Sequence, residues 1–328
     1  MRYAILGSNS FTGSSFVRHV LDLGSEVLSV SRSEQPISAL LPQSWSDYAS
    51  RDRYLQADIN RDLDTIIDAL RVFQPDFVVN FAAQSMVGQS WDSPEDWYRT
   101  NVLGLSLLVR GLATLPEGFR YVHVTTPEVY GSTDGWIAES DHFHPTTPYA
   151  VSRAAGDLHL QVMHRERGFP VVFTRAANVY GPGQSLYRLI PRVFLSARLG
   201  VKVPLHGDGS SVRCFVHARD VAEATRLVAE GGQLGSSYHI STSEPVAIAD
   251  LIGRCASIAG VAWEDLVSPA PERSGKDATY LLDSRRLQDE LGWRPRVPLQ
   301  DGLISVLSWV DDNLDRLRHQ SLDYVHRI

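Results

Sequence analysis

"YAILGSNSFTG", residues 3–13, runs a short apolar stretch directly into a loop bounded by two glycines. The apolar run is strand-like, and the loop opens a segment in which Phe16, Val20 and Leu23 recur at helical spacing. Gly7 permits the tight turn that such a junction needs, and Gly13 a close approach of helix to sheet. The helix start at Phe11 and Thr12 then offers unpaired N–H groups and a partial positive charge, which suits a pyrophosphate. Ser10 stands where the usual fingerprint has its middle glycine. Strand, loop, helix and a second strand in this order predict a dinucleotide-binding unit.

Working outward, five further apolar runs look like strands: "EVLSVS" (26–31), "RYLQAD" (53–58), "DFVVNFAA" (76–83), "RYVHVTT" (120–126) and "PVVFTRA" (170–176). Helical patterns lie between several of them, as with Ile66, Ile67, Leu70 and Phe73. This alternation predicts an α/β fold, a Rossmann-type doubly wound parallel sheet covered on both faces. After about residue 178 the loops become richer in Gly and Pro and the strands shorter, with a closing helix at 299–317. That change predicts a smaller C-terminal α/β substrate-binding region. We expect residues 1–178, with about 216–242, to form the cofactor domain, and 179–215 with 243–328 the substrate region.

Ligands of an open parallel sheet sit at the carboxyl ends of its strands. The second strand ends in "SVSRS" without an acidic residue to bind a ribose 2′-hydroxyl. Ser31 and Arg32 therefore favour NADP weakly over NAD as the NAD(P) cofactor. Asp58, next to Ile59, is placed to reach the adenine edge. Phe81, Ala82 and Ala83 end the fourth strand in "NFAAQS", where small residues let a cofactor lie close.

The 328 residues carry a net charge of −7 with no run of lysine or arginine, so neither a nucleic acid nor a membrane surface is an expected partner. No apolar run has the length of a membrane span, and the N-terminus enters a strand rather than a leader. The two cysteines, Cys214 and Cys255, show no metal-like spacing and suit a reducing compartment. We expect a cytoplasmic, metal-free protein.

Seven segments in register carry a resemblance: "GSNSFTG", "NFAAQS", "TTPEVYG", "YAVSR", "NVYGPGQ", "GDGSSVRCFVHARDV" and "RSGKDATYLLDSRRLQDELGW". Nearly the whole chain resembles the extended short-chain dehydrogenase/reductases that act on nucleotide sugars. "AAQS" and "TTPEVYG" look most like the 4,6-dehydratases of the GDP-mannose type, and "RSGKD…LLD" is similar to the tail of the dTDP-glucose enzymes. The resemblance implies that Tyr149 removes the proton of the sugar 4-hydroxyl while C4 gives hydride to the nicotinamide. Thr126 would hydrogen-bond that hydroxyl, and Glu128 would abstract the C5 proton before water leaves from C6. Tyr149 and Arg153 would also contact the nicotinamide ribose.

Two catalytic positions depart from the family pattern. Arg153 replaces a lysine one helical turn after Tyr149; it keeps the charge that lowers the phenol's pKa but cannot relay a proton. Pro127 stands where the dTDP-glucose enzymes have an acid and the GDP-mannose type a serine. It fits the arrangement in which the glutamate serves as both base and acid, and it stiffens the turn. Arg213 and Arg273 match two diphosphate-binding arginines, and Asn178 an amide at the substrate phosphate or cofactor. Gln84 and Ser85 resemble residues near the hexose, with Met86 where many relatives have histidine. Arg192 is a further candidate phosphate contact, and equally a surface arginine.

The expected partner is thus a nucleoside-diphosphate sugar. The apolar stripe Val102, Leu105, Leu108, Val109 and Leu112 suits a core, and the resemblance adds a homodimer or higher homo-oligomer built on the helices near 94–115 and 149–167. A 4-epimerase or 4-keto reductase, which has no strict use for Glu128, and a non-catalytic cofactor-binding sensor are the alternatives.

Overall fold

The computed structural model describes residues 1–48, 50–271 and 279–326. In chain order its strands begin with β1 (Arg2–Leu6), β2 (Glu26–Ser31), β3 (Asp52–Gln56), β4 (Phe77–Asn80), β5 (Arg120–Thr125) and β6 (Trp136–Ile137). They continue with β7 (Val171–Ala176), β8 (Asn178–Tyr180), β9 (Val203–His206), β10 (Val212–His217), β11 (Ser237–Ile240) and β12 (Pro245–Ala247). The helices that matter here are α1 (Phe11–Asp22), α2 (Leu63–Phe73), α3 (Pro94–Tyr98), α4 (Leu105–Leu112), α5 (Pro148–Arg167), α6 (Leu189–Leu199), α7 (Ala218–Gly231) and α8 (Ile248–Ala259).

Seven strands form one parallel sheet in the order β11-β7-β5-β4-β1-β2-β3. The direction of winding reverses between β1 and β4, which opens a crevice at their carboxyl ends. Residues alternate between two cores: Tyr3 and Ile5 of β1 pack beneath α1 and α7, Ala4 and Leu6 beneath α2, α4 and α5. Both faces being covered, the strands read as continuous apolar runs. A third core lies between α6, α8 and the helix Leu299–Asp312. Around it stand the short strands β8, β10 and β12, paired as β12-β10-β8.

The elements depart from the sequence reading in three places. β4 stops at Asn80, because the Asn80 side chain accepts the Ala82 N–H at 3.0 Å and turns the chain out of the ladder. β11 is a four-residue strand too short to stand out as a periodic run. The closing helix breaks at Asn313, whose amide caps the Trp309 carbonyl.

The stripe Leu105, Leu108, Val109 and Leu112 is buried within this chain's own core. The apolar side chains left exposed on these helices are others: Tyr98 and Leu103, and Val151, Leu158 and Val162 along one face of α5. Among the described residues no helix is long and apolar enough to cross a membrane, and no cluster of ligating side chains suits a metal ion.

Candidate active site

The loop after β1 fits its glycines closely. Gly7 has φ +81°, and a Cβ there would lie 2.6 Å from the Ala82 nitrogen; one on Gly13 would lie 2.4 Å from the Gly7 carbonyl oxygen. Ser10 is no mere gap in the fingerprint. Its hydroxyl caps α1 by accepting the Gly13 N–H at 3.1 Å and donates to the Gly7 carbonyl at 2.7 Å. A pocket of about 230 Å³ opens beside this loop, lined by Gly7, Ser10, Ser31, Arg32, Asp58, Ile59, Phe81, Ala82, Ala83 and Gln84.

Several of these side chains already have work in the fold. The Ser31 hydroxyl accepts the Asn9 N–H at 2.9 Å, and an Asp58 oxygen accepts the Asn60 N–H at 2.8 Å. Arg32 is exposed at the rim. Gln84 is buried with its backbone paired to Asn101, so it lines this pocket and not the larger cleft where a hexose reader was expected. Asn101 lies in a π-helical turn, Arg99–Gly104, and also donates to Ser152 on α5 at 2.9 Å.

The larger cleft, about 810 Å³, continues from the loop towards the third core, past residues of α6, α8 and β10. Ser10, Phe11, Thr12, Phe81, Ala83 and Ser85 line one end; Thr126, Glu128, Tyr149 and Arg153 its middle; Asn178, Arg192 and Arg213 the far end. Arg273 lies outside the described residues.

Thr126, Pro127 and Glu128 form one device. The residue before a proline is held extended, and Thr126 has φ −135° and ψ 147°. Pro127 then occupies the first position of a short 3₁₀ turn, Pro127–Tyr130, where its missing N–H matters least. The Thr126 hydroxyl accepts the Glu128 N–H at 3.3 Å, and the turn closes on Gly131 at φ +67°. Pro127 is buried while Glu128 stays half-exposed to the cleft. The proline therefore aims the glutamate.

Tyr149 follows Pro148 in the first turn of α5 and is buried, with Thr126 as a hydrogen-bond partner. Burial and the Glu128 carboxylate push its phenol up, against the opposing pull of Arg153, Thr126 and Arg188. Arg153 does pull this phenol down, as expected, but in the protein by itself burial and Glu128 outweigh it. Arg153 itself is buried, and its Nη2 donates down to the Val124 carbonyl and towards His123 Nε2 at 3.4 Å.

At the far end, the Arg213 guanidinium lies 4.4 Å from the ring centroid of Tyr280. The Tyr280 hydroxyl donates to Asn178 Oδ1 at 3.1 Å. Arg192 donates to the Leu322 carbonyl at 3.4 Å and lies 4.0 Å from Asp323. Arg188, unremarked in the sequence, also lines the cleft. Tyr280 was missed as well: a lone tyrosine beside an expected diphosphate arginine carries no local pattern. Cys214 is buried in the core, with its thiol pushed up by burial.

This geometry meets its relatives in full-length comparisons. The model of the GDP-mannose 4,6 dehydratase family matches residues 5–306. The chain belongs to this family. Such nucleotide-sugar dehydratase-like members of the extended short-chain dehydrogenase/reductases include a dTDP-glucose 4,6-dehydratase of Streptomyces niveus, 35% identical over 95% of this chain and 94% of its relative. Among solved structures, a dTDP-glucose 4,6-dehydratase from Streptomyces venezuelae with NAD and TYD bound is 35% identical. It superposes with a TM-score of 0.89 over 96% of this chain and 98% of the other. A UDP-glucose 4-epimerase of Thermus thermophilus, in complex with NAD, is 28% identical with a TM-score of 0.83 over 95% and 99% of the two chains. Family membership accounts for the seven-stranded sheet and the glycine-bounded loop.

Proposed function

We propose that this protein is a nucleotide-sugar 4,6-dehydratase, converting an NDP-hexose into an NDP-4-keto-6-deoxyhexose with a bound nicotinamide cofactor. The observation that carries the reading is Glu128: a carboxylate on a proline-braced turn, in the same cleft as Tyr149 and Thr126. An epimerase has no strict use for that carboxylate.

The residues present fit a dinucleotide. Gly7 and Gly13 leave the space a side chain would fill, and α1 directs its N-terminus at the pyrophosphate position. Ser10, Phe11 and Thr12 would line the pyrophosphate; Asp58, Ile59, Ala82 and Ala83 the adenosine; Tyr149 and Arg153 the nicotinamide end. When bound, the oxidised nicotinamide supplies positive charge beside the phenol and carries a hydride from C4 and later to C6. NADP is favoured over NAD, because Arg32 stands at the rim of the adenosine pocket and no acidic residue ends β2.

Thr126 hydrogen-bonds the sugar 4-hydroxyl and Tyr149 takes its proton. The 4-ketone acidifies C5, and Glu128 removes the C5 proton. Pro127 carries no acid, so Glu128 returns that proton to the departing C6 hydroxyl, and solvent reprotonates C5. Arg213 and Arg192, with Asn178, hold the diphosphate, and Arg273 joins them by resemblance alone. Ser85, which lines the same cleft, would contact the hexose. The exposed face Val151, Leu158 and Val162 of α5, with Tyr98 and Leu103, supports a homodimer.

The test is incubation with GDP-mannose, dTDP-glucose, CDP-glucose and UDP-sugars in heavy water, read by mass spectrometry. The dehydratase reading requires loss of one water with one solvent deuterium at C5. A mass-neutral product inverted at C4 would establish the epimerase instead.

A further inference from the structure

Beneath the catalytic turn lies a dry group of charges that no step of this reaction uses. Helix α5 carries Tyr149, Arg153 and Asp157 at intervals of four residues, hence on one face. Asp157 is fully buried. Its Oδ2 accepts Arg175 Nη1 at 2.5 Å and the Thr125 hydroxyl at 3.0 Å, and its Oδ1 lies 3.4 Å from His123 Nε2. Arg175, equally buried on β7, has the same Nη1 within 3.4 Å of the Thr126 carbonyl. Its guanidinium lies 5.3 Å from the ring centroid of Tyr130 and 5.0 Å from that of Phe143. Tyr130 ends the turn that Thr126 begins.

Arg153 reaches the same strand. Arg153, buried, donates to the Val124 carbonyl and approaches His123 Nε2. Thr125, Thr126 and Val124 are consecutive at the carboxyl end of β5, so both guanidiniums grip the strand where it turns into the site. We infer that Asp157 and Arg175 are positioning residues: one buried ion pair holds the turn of Thr126 and Glu128 from below. This rests on the dehydratase reading of the cleft.

The electrostatics agree with the geometry. Burial alone would raise Asp157, but Arg175, His123 and Arg153 outweigh it and keep the carboxyl ionised well below its usual range. Burial, with Arg153 and Arg175, pushes His123 down to about 4, which keeps it neutral. A buried pair of this kind contributes little stability over apolar residues of similar volume. Asp157 Oδ1, Arg175 Nε and Arg175 Nη2 lack hydrogen-bond partners among the described residues, which makes the group a costly way merely to fill a core. Placement of the turn is what it adds.

The decisive comparison is between Arg175→Met and the pair Asp157→Leu with Arg175→Met. The single change strands a carboxylate and destabilises the protein whatever the role of the pair. The double change removes both charges, so stability returns towards the parent level. If the pair positions the turn, turnover in the double variant stays down by about a hundredfold with KM for the sugar nucleotide little changed. Amides of Glu128 and Gly131 exchange with solvent about tenfold faster. Turnover and exchange both within about threefold of the parent overturn the inference. Should the double variant fail to fold, Thr125→Val removes one hydroxyl link to Asp157. It must then slow turnover at an unchanged melting temperature; unchanged turnover overturns the inference as well. The exchange readout needs no activity. A parent protein inert on every sugar nucleotide would therefore remove the dehydratase reading while the exchange comparison still decides the positioning role.

Discussion

The two ends of the cleft are built on different principles. At the end proposed for the chemistry, Thr126 and Glu128 follow the carboxyl end of an interior strand of the seven-stranded sheet, with Tyr149 and Arg153 on α5, and Arg153 and the turn are held from below by buried groups. At the end proposed to hold the diphosphate, Arg213 comes from β10 and Arg192 from the first turn of α6, both half-exposed, resting on a tyrosine ring and a backbone carbonyl. Chemistry requires atoms placed to fractions of an ångström, and a close-packed sheet supplies that. Recognition of a diphosphate tolerates longer, more adaptable side chains at the edge of water. Rate should therefore reside at one end and affinity at the other.

The largest effect that could break this division is Glu128→Gln. Formation of dehydrated product should fall about a thousandfold while C4 oxidation persists, seen as reduced nicotinamide absorbance growing on mixing with substrate. Tyr149→Phe should lose both, leaving no such absorbance. If the two variants behave alike, Glu128 and Tyr149 do not act in separate steps.

Acid sharpens the comparison next. Burial pushes His123 and His217 down to about 4 and His239 to about 3, and two of these lie against the chemical end, with His239 bonded to Tyr130. Between pH 6.5 and those folded values the unfolded chain binds protons that the folded protein refuses, so stability falls as pH falls. At pH 5 each costs roughly 1–2 kcal/mol relative to pH 7. Burial raises Asp52, Glu139 and Asp220, which opposes this towards the acid end of the window. The urea midpoint should be lower at pH 5 than at pH 7, and replacing His239 by an uncharged residue should shrink the difference.

Arg213→Ala tests the other end. Losing a charge-assisted contact to phosphate should raise KM about ten- to a hundredfold with kcat within a few-fold. A fall in kcat instead would mean that the diphosphate end also sets the geometry of the reacting ring. The smallest expected change is Arg32→Ala, which should lower affinity for NADP about fivefold and leave NAD nearly unaffected, measured by fluorescence titration.

Some parts of the site were legible because they are local. Gly7 and Gly13, six residues apart after an apolar run, have one economical reading; so do Pro127 after Thr126 and the helical spacing of Tyr149 and Arg153. Others were hidden because their partners are distant in the chain. Asp157 meets Arg175 from 18 residues away and Thr125 from 32, and although its spacing puts it on the face of Tyr149 and Arg153, nothing in α5 names those partners. Arg175 sits in an apolar strand where an arginine reads as an edge feature, yet it is fully buried. The stripe on α4 was ambiguous between core and interface, since either burial demands the same residues.

Residue order alone thus determined the winding of the sheet, the place of its ligand crevice and the identities of the groups available for chemistry. Backbone periodicity and glycine geometry act over a few residues, and that is enough for those features. Only the folded chain decided where Arg153 directs its charge, which carboxylate stays dry, and which aromatic ring meets Arg213. Burial and charge pairing join segments that sequence separation leaves independent, and their energies exist only once water has been excluded between them.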